Sequence, residues 1–172
     1  MEHNVSRAQL LSGDVKGEKQ PFRPPWAVAE VDFVEVCNGC GDCVTACPDK
    51  LIIVGRGKLP RMDFSRGGCD FCEDCLSACK TGALVQDPES AEPPWKIKAS
   101  IQPACLSLNA VICRSCGEVC DERAIRFKLE LGGVAKPLLD TDLCTGCGAC
   151  FTVCPIRAVT LCSINEPCVQ AA

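Results

Sequence analysis

Histidine is almost missing from this chain: His3 is the single one in 172 residues, and it lies in the amino-terminal stretch. No nucleophile, base and orienting group come together elsewhere as a recognisable catalytic motif, so the chain is not expected to be an enzyme. A phosphate cradle is missing too. Gly55-Arg56-Gly57 lacks the third glycine and the strand-to-helix setting of a dinucleotide loop and reads as a turn. No apolar run approaches the length of a membrane span, and residues 1–33 hold no basic stretch followed by an apolar core. A soluble, unprocessed chain is expected. Positive charge is in deficit, with 18 Lys and Arg against 22 Asp and Glu, which makes nucleic acid an unsuitable partner.

Cysteine, by contrast, is abundant. Twelve of the 18 cysteines fall in three runs spaced Cys-x2-Cys-x2-Cys-x3-Cys: Cys37, Cys40, Cys43, Cys47; Cys69, Cys72, Cys75, Cys79; and Cys144, Cys147, Cys150, Cys154. Two-residue loops wrap three thiolates round three corners of a cubane iron–sulfur cluster and aim backbone N–H groups at its sulfurs; the fourth cysteine points at the neighbouring cluster. Zinc is the competing explanation, but three thiols within seven residues overfill a tetrahedral site built from two separated pairs. Cysteine used in this way needs a reducing compartment, and an intracellular setting is expected.

A fourth run is distorted. Cys105, Cys113, Cys116 and Cys120 have the usual later gaps but seven residues after the first cysteine. The offset from the first run is 73 for the last three cysteines and 68 for Cys105, so five residues are inserted there. The second and last runs keep a constant offset of 75, and Pro24-Pro25-Trp26 is echoed by Pro93-Pro94-Trp95. This marks a duplicated unit. The expected fold class is α+β, two tandem two-cluster ferredoxin modules of the bacterial type, with short helices and small antiparallel hairpins around 4Fe-4S clusters.

The expected division is an N-terminal tail over 1–33, a first module over 34–86, a linker over 87–104, a second module over 105–161 and a C-terminal tail over 162–172. Pairing within modules joins Cys37, Cys40 and Cys43 with Cys79, and Cys69, Cys72 and Cys75 with Cys47. It also joins Cys105, Cys113 and Cys116 with Cys154, and Cys144, Cys147 and Cys150 with Cys120. Three clusters are expected on the regular pattern, and the fourth stays open, because the long excursion must bring the Cys105 thiolate back to its corner. The modules should load independently. Cys162 and Cys168 match no cluster spacing and are expected to be free thiols.

Apolar stretches after each fourth cysteine, at Leu51–Val54, Ala83–Val85, Ala124–Phe127 and Ala158–Leu161, suggest strands. Leu59–Phe64 and Pro137–Leu139 suggest their partners, with turns at Gly55-Arg56-Gly57 and Gly132-Gly133. Short helices should start near each third cysteine. Arg56, Lys58, Arg61 and Arg66 read as a solvated hairpin. Formal charge is −4, and four oxidised clusters would take it to roughly −12.

The Arg23-Pro24-Pro25-Trp26 lead-in and the four runs in this order are joined by an irregular third stretch. That stretch runs from Ala104-Cys105-Leu106 through Cys113-Arg114-x-Cys116 and Cys120 to Ala124-Ile125 and Phe127. Together, from about residue 6 to 161, they resemble the NapF family of ferredoxin-type proteins. The resemblance implies a cytoplasmic accessory of the periplasmic nitrate reductase system that binds the molybdenum-containing catalytic subunit before export and assists assembly of its iron–sulfur centre. Where that family tends to show Ser-Arg-Arg before an apolar pair, this chain has Ser6-Arg7-Ala8 before Leu10-Leu11. Motif chemistry alone serves equally a polyferredoxin that carries single electrons to a redox enzyme during turnover.

Overall fold

The computed structural model describes residues 21–87, 93–130 and 132–163. Its elements are short because every cysteine run forces the chain to turn. In the first module, β1 (Ile52–Val54) pairs antiparallel with β2 (Pro60–Met62), Ile52 opposite Met62. The turn between them is a 3₁₀ turn at Arg56–Lys58 in which Gly57 takes a φ of 63°. Arg56, Lys58, Arg61 and Arg66 are all exposed on or just after this hairpin. In the second module, β4 (Ile125–Leu129) pairs antiparallel with β5 (Ala135–Leu139).

Two stretches expected to be unstructured are built into the fold. The first is the latter part of the 1–33 tail. Ala27 bridges Leu84, Val28 N–H donates to the Ala83 carbonyl and Val85 N–H to that of Trp26, so the expected strand at Ala83–Val85 has its partner here. Helix α1 (Glu30–Val36) follows, with Glu30 and Asp32 in its first turn, where the helix dipole favours acid. Its Phe33 is 0% exposed. Arg23 grips Glu30 through two hydrogen bonds of 2.8 and 2.6 Å, donates to the Pro60 carbonyl and lies 4.9 Å over the Phe33 ring. The anchors of this segment act through distant contacts, which leaves no local periodicity to read. Ser6, Arg7, Leu10 and Leu11 lie outside the described residues.

The second is the 87–104 linker. Its Ile97–Ile101 forms β3, antiparallel to β6 (Val159–Ser163), with Ile97 opposite Ser163 and Ile101 opposite Val159. The strand buries Ile97 and Ala99 and leaves Lys98 and Ser100 half-buried, an alternation that prolines on either side disguised.

The modules are also fastened to one another. Trp26 N–H donates to the Pro94 carbonyl at 2.6 Å, and the Trp95 indole N–H to that of Thr145 at 2.8 Å. The Thr152 hydroxyl donates to Phe64 O, also at 2.8 Å. Edge-on aromatic contacts run from Phe22 to Phe64, Phe64 to Trp95, Trp95 to Phe71 and Phe71 to Trp26, with centroids 5.2 to 6.4 Å apart. Each such pair adds about 0.5–1.5 kcal/mol beyond its buried area. Phe151 and Leu161 of the second module pack on the first module's core, and a smaller core around Ala99, Ile125 and Val159 lies wholly in the second. The modules therefore share a core instead of standing apart on a linker. No helix among the described residues is long and apolar enough to cross a membrane.

Candidate metal centres

Four one-turn helices carry the third cysteine of each run. Helix α2 (Asp42–Ala46) buries Cys43, α3 (Asp74–Ala78) buries Cys75, α4 (Ser115–Glu118) buries Cys116 and α5 (Ala149–Thr152) buries Cys150. The loop before each helix winds left-handed at matching positions in the three regular runs. These are Gly39 and Gly41, then Phe71 and Glu73, then Gly146 and Gly148, all with φ between 58° and 88°. Glycine takes this conformation freely, whereas Phe71 and Glu73 pay a steric cost. Phe71 is retained for its ring, which meets both Trp26 and Trp95. The distorted run has no left-handed residue between Cys113 and Cys116; its left-handed residue is Ala110, φ 62°, inside the excursion.

A second regularity, not foreseen from sequence, follows the fourth cysteine of every run. The residue three positions on is left-handed in each case: Lys50, Gly82, Arg123 and Arg157. This bend aims the next N–H back at sulfur. Leu51 N–H donates to Cys47 Sγ at 3.4 Å and Ala158 N–H to Cys154 Sγ at 3.1 Å. At Cys79, burial works to raise the thiol's pKa. Hydrogen bonds from the Leu84, Thr81 and Ala83 backbone and the Thr81 hydroxyl nevertheless bring it below its ordinary value. Ala99 N–H likewise reaches Cys144 Sγ at 3.5 Å. N–H groups aimed at sulfur favour thiolate, the form that binds iron.

The buried third thiol of each run is influenced by the first two cysteines of its run and by at least one cysteine of its partner run. Burial pushes the Cys43 thiol up to about 11, and neighbouring Cys37, Cys40 and Cys79 push the same way. Cys75 is pushed to about 12 by burial, then by Cys69 and, less, by Cys43 and Cys72. Cys69, at about 11, is raised by burial and also feels Cys47. Cys116 rises to about 11 through burial and then Cys105, Cys113 and Cys154. Cys150 rises to about 12 through burial, Cys147, Cys144, Cys116 and Cys120. Such groups resist ionisation together unless a cation stands between them.

Cavities lie at two groups. One is lined by Cys47, Cys69, Cys72 and Cys75 with Trp26, Leu51 and Met62. The other, of about 230 Å³, is lined by Cys120, Cys144, Cys147 and Cys150 with Ala99, Ile125 and Leu161. Among the described residues no three His, Cys, Asp or Glu converge tightly enough for a single ion. All sixteen run cysteines are free of disulfides, so this donor set fits 4Fe-4S clusters.

The excursion itself is held by its own bonds. Ser107, at the start of a 3₁₀ turn (Ser107–Asn109), is buried and its hydroxyl donates to the Ala135 carbonyl. The Asn109 amide donates to Pro103 O and Cys105 O at 2.8 and 2.9 Å. Leu108, Val111 and Ile112 are left exposed, Ile112 by 86%.

Cys162 departs from expectation: it lies buried in β6 opposite Lys98 and is disulfide-bonded, not a free thiol. Cys168 lies outside the described residues. Replacing Cys162 by serine is expected to leave iron content unchanged, and a fall in iron per chain would place it among the ligands.

Residues 26–84 match a family described as 4Fe-4S dicluster domain, and residues 111–158 match a second family of the same description. Cys105 precedes the second match. The chain is 35% identical over 165 residues to "Ferredoxin-type protein NapF" of Escherichia coli K12, covering 93% of this chain and 96% of that one. Against the protein of the same name in Haemophilus influenzae it is 38% identical over 173 positions, covering 95% and 97%. It is also 33% identical over 154 residues to "Methylamine utilization ferredoxin-type protein MauM" of Methylorubrum extorquens, covering 81% and 70%.

Proposed function

The chain belongs to the NapF family of ferredoxin-type proteins, and on that premise we propose that it is a cytoplasmic iron–sulfur accessory protein of the periplasmic nitrate reductase system. It binds the immature catalytic subunit before export and assists assembly of that subunit's iron–sulfur centre. The observation that carries this reading is the similarity to proteins named NapF along nearly the whole chain, at 35–38% identity. A match confined to the cysteine runs would have pointed only to a ferredoxin.

Four 4Fe-4S clusters are assigned to the four thiol groups. Site I is Cys37, Cys40, Cys43 and Cys79, and site II is Cys69, Cys72, Cys75 and Cys47. Site III is Cys105, Cys113, Cys116 and Cys154, and site IV is Cys144, Cys147, Cys150 and Cys120. Bound clusters supply one-electron chemistry. The protein's own residues seat them, donate N–H groups to the thiolates and exclude water with Phe71, Leu51, Ile125 and Leu161. The exposed apolar trio on the Cys105–Cys113 excursion suits contact with a protein partner, since apolar surface beside a redox site is otherwise wasted in water.

Binding of the cluster-loaded protein to the nitrate reductase catalytic subunit, measured anaerobically, tests the reading. Clear preference for the cluster-free subunit over the mature one is expected. Equal or reversed preference would make the protein an electron carrier during turnover instead.

A further inference from the structure

The two modules meet at their cysteine loops. Cys69 N–H donates to the Cys147 carbonyl at 2.8 Å, joining a residue of site II to one of site IV by backbone. The surroundings are built for this approach. A Cβ on Gly68 would stand 2.7 Å from Ala149 N, and one on Gly148 would overlap the Phe64 ring, so both glycines let the loops close. Trp95 locks the pair, its ring against Phe64 and Phe71 and its N–H on Thr145 O. The cavity at site IV extends to Gly68, Cys69 and Phe71 of the other module. Inside the modules the groups also adjoin: α2, which carries Cys43 of site I, packs against α3 with Cys75 of site II, and α4, which carries Cys116 of site III, packs against α5 with Cys150 of site IV.

From these contacts, and resting on the four-cluster reading above, we propose that the module interface is an electron passage and that the sites form one line, I–II–IV–III, instead of two separate pairs. A path from sulfur to sulfur runs through Cys69 and Cys147 alone, with a single hydrogen bond between them. In the transfer, one electron leaves site II, whose core is oxidised from the +1 to the +2 state, and arrives at site IV, whose core is reduced from +2 to +1. No bond is made or broken and no proton moves. The electron is supplied by a one-electron, low-potential reductant. Sites I and III are then the two ends at which electrons enter and leave, and the apolar excursion flanks one of them.

Electron paramagnetic resonance of the dithionite-reduced full chain tests this. With sites I and III disabled by Cys37→Ser and Cys105→Ser, the remaining clusters sit in different modules. Their signal is expected to be split by spin–spin coupling. With sites II and IV disabled instead, by Cys72→Ser and Cys147→Ser, it is expected to be unsplit. An unsplit signal from the first variant, with iron present at both remaining sites, would overturn the proposal. Gly68→Val gives an independent check with every ligand intact: wedging Ala149 away should weaken the inter-module coupling at unchanged iron content. An unaltered spectrum would count against the passage. Failure of the four-cluster reading would look different, as iron or reduced-cluster signal already lacking in the unsubstituted chain.

Discussion

Removal of iron under anaerobic conditions is expected to abolish the cooperative unfolding transition and most of the ordered backbone. Of the 21 buried hydrophobic residues among those described, six are cysteine and five alanine, which leaves ten larger side chains to hold both modules. Each of those contributes about 1.5–3 kcal/mol when fully buried, against a backbone entropy cost of about 1–2 kcal/mol for every residue ordered. The sheets cannot supply the difference, for among the described residues all three are two-stranded and one has strands of three residues; such ribbons are marginal alone. Clusters close the gap by tying run to run, and ligation is then folding free energy. The left-handed residues add to the demand, because Phe71, Glu73, Lys50, Arg123 and Arg157 hold strained backbone that relaxes once no cluster lies inside the loop. Far-ultraviolet circular dichroism and amide exchange before and after chelation decide the point. Protection retained in β3–β6 or the hairpins of the iron-free chain would show that the apolar core suffices.

What sequence made legible was whatever a few neighbouring residues determine. Cysteine spacing constrains the chain directly, so the short helices at Cys43, Cys75, Cys116 and Cys150 were legible from it. Glycine pairs placed both hairpin turns for the same reason. The segment from Phe22 to Phe33 could not be read, since its order comes from Arg23 reaching Glu30 and Pro60 O, and from a bridge to Leu84 more than fifty residues away. β3 was hidden by its context: Ile97-Lys98-Ala99-Ser100-Ile101 alternates as a strand should, yet Pro94 and Pro103 bracket it and its partner begins at Val159. The shared aromatic core was illegible because none of its four contacts is local. Expecting the modules to stand apart on a linker followed from seeing the repeat and not the surface that joins its copies.

Gly146→Ala is expected to be the most damaging single methyl in the second module, and Gly41→Ala its mild counterpart. Both glycines are left-handed, φ 75° and 82°, Gly146 just before the second cysteine of its run and Gly41 just after the second of its own, so both variants bear the steric cost of that conformation, about 1–2 kcal/mol. Space separates them. A Cβ at Gly41 meets nothing within 4 Å, whereas one at Gly146 overlaps the Ile97 carbonyl oxygen and stands 3.0 Å from Trp95 Nε1. Since the obstacle is backbone, β3 or the cysteine loop must shift. Movement of β3 withdraws Ala99 N–H from Cys144 Sγ and the Lys98 amine, 2.6 Å away, from the Cys144 carbonyl. Movement of the loop breaks the Trp95 bond to Thr145 and carries Cys147 away from Cys69. Either route opens site IV. Iron analysis should therefore show about one cluster lost from Gly146→Ala and none from Gly41→Ala. The difference in unfolding free energy should exceed about 4 kcal/mol, a size reserved for core disruption. Equal iron and equal stability in the two variants would mean that the contact between Gly146 and Ile97 yields without cost, and that β3 does not hold the Cys144–Cys154 run in place.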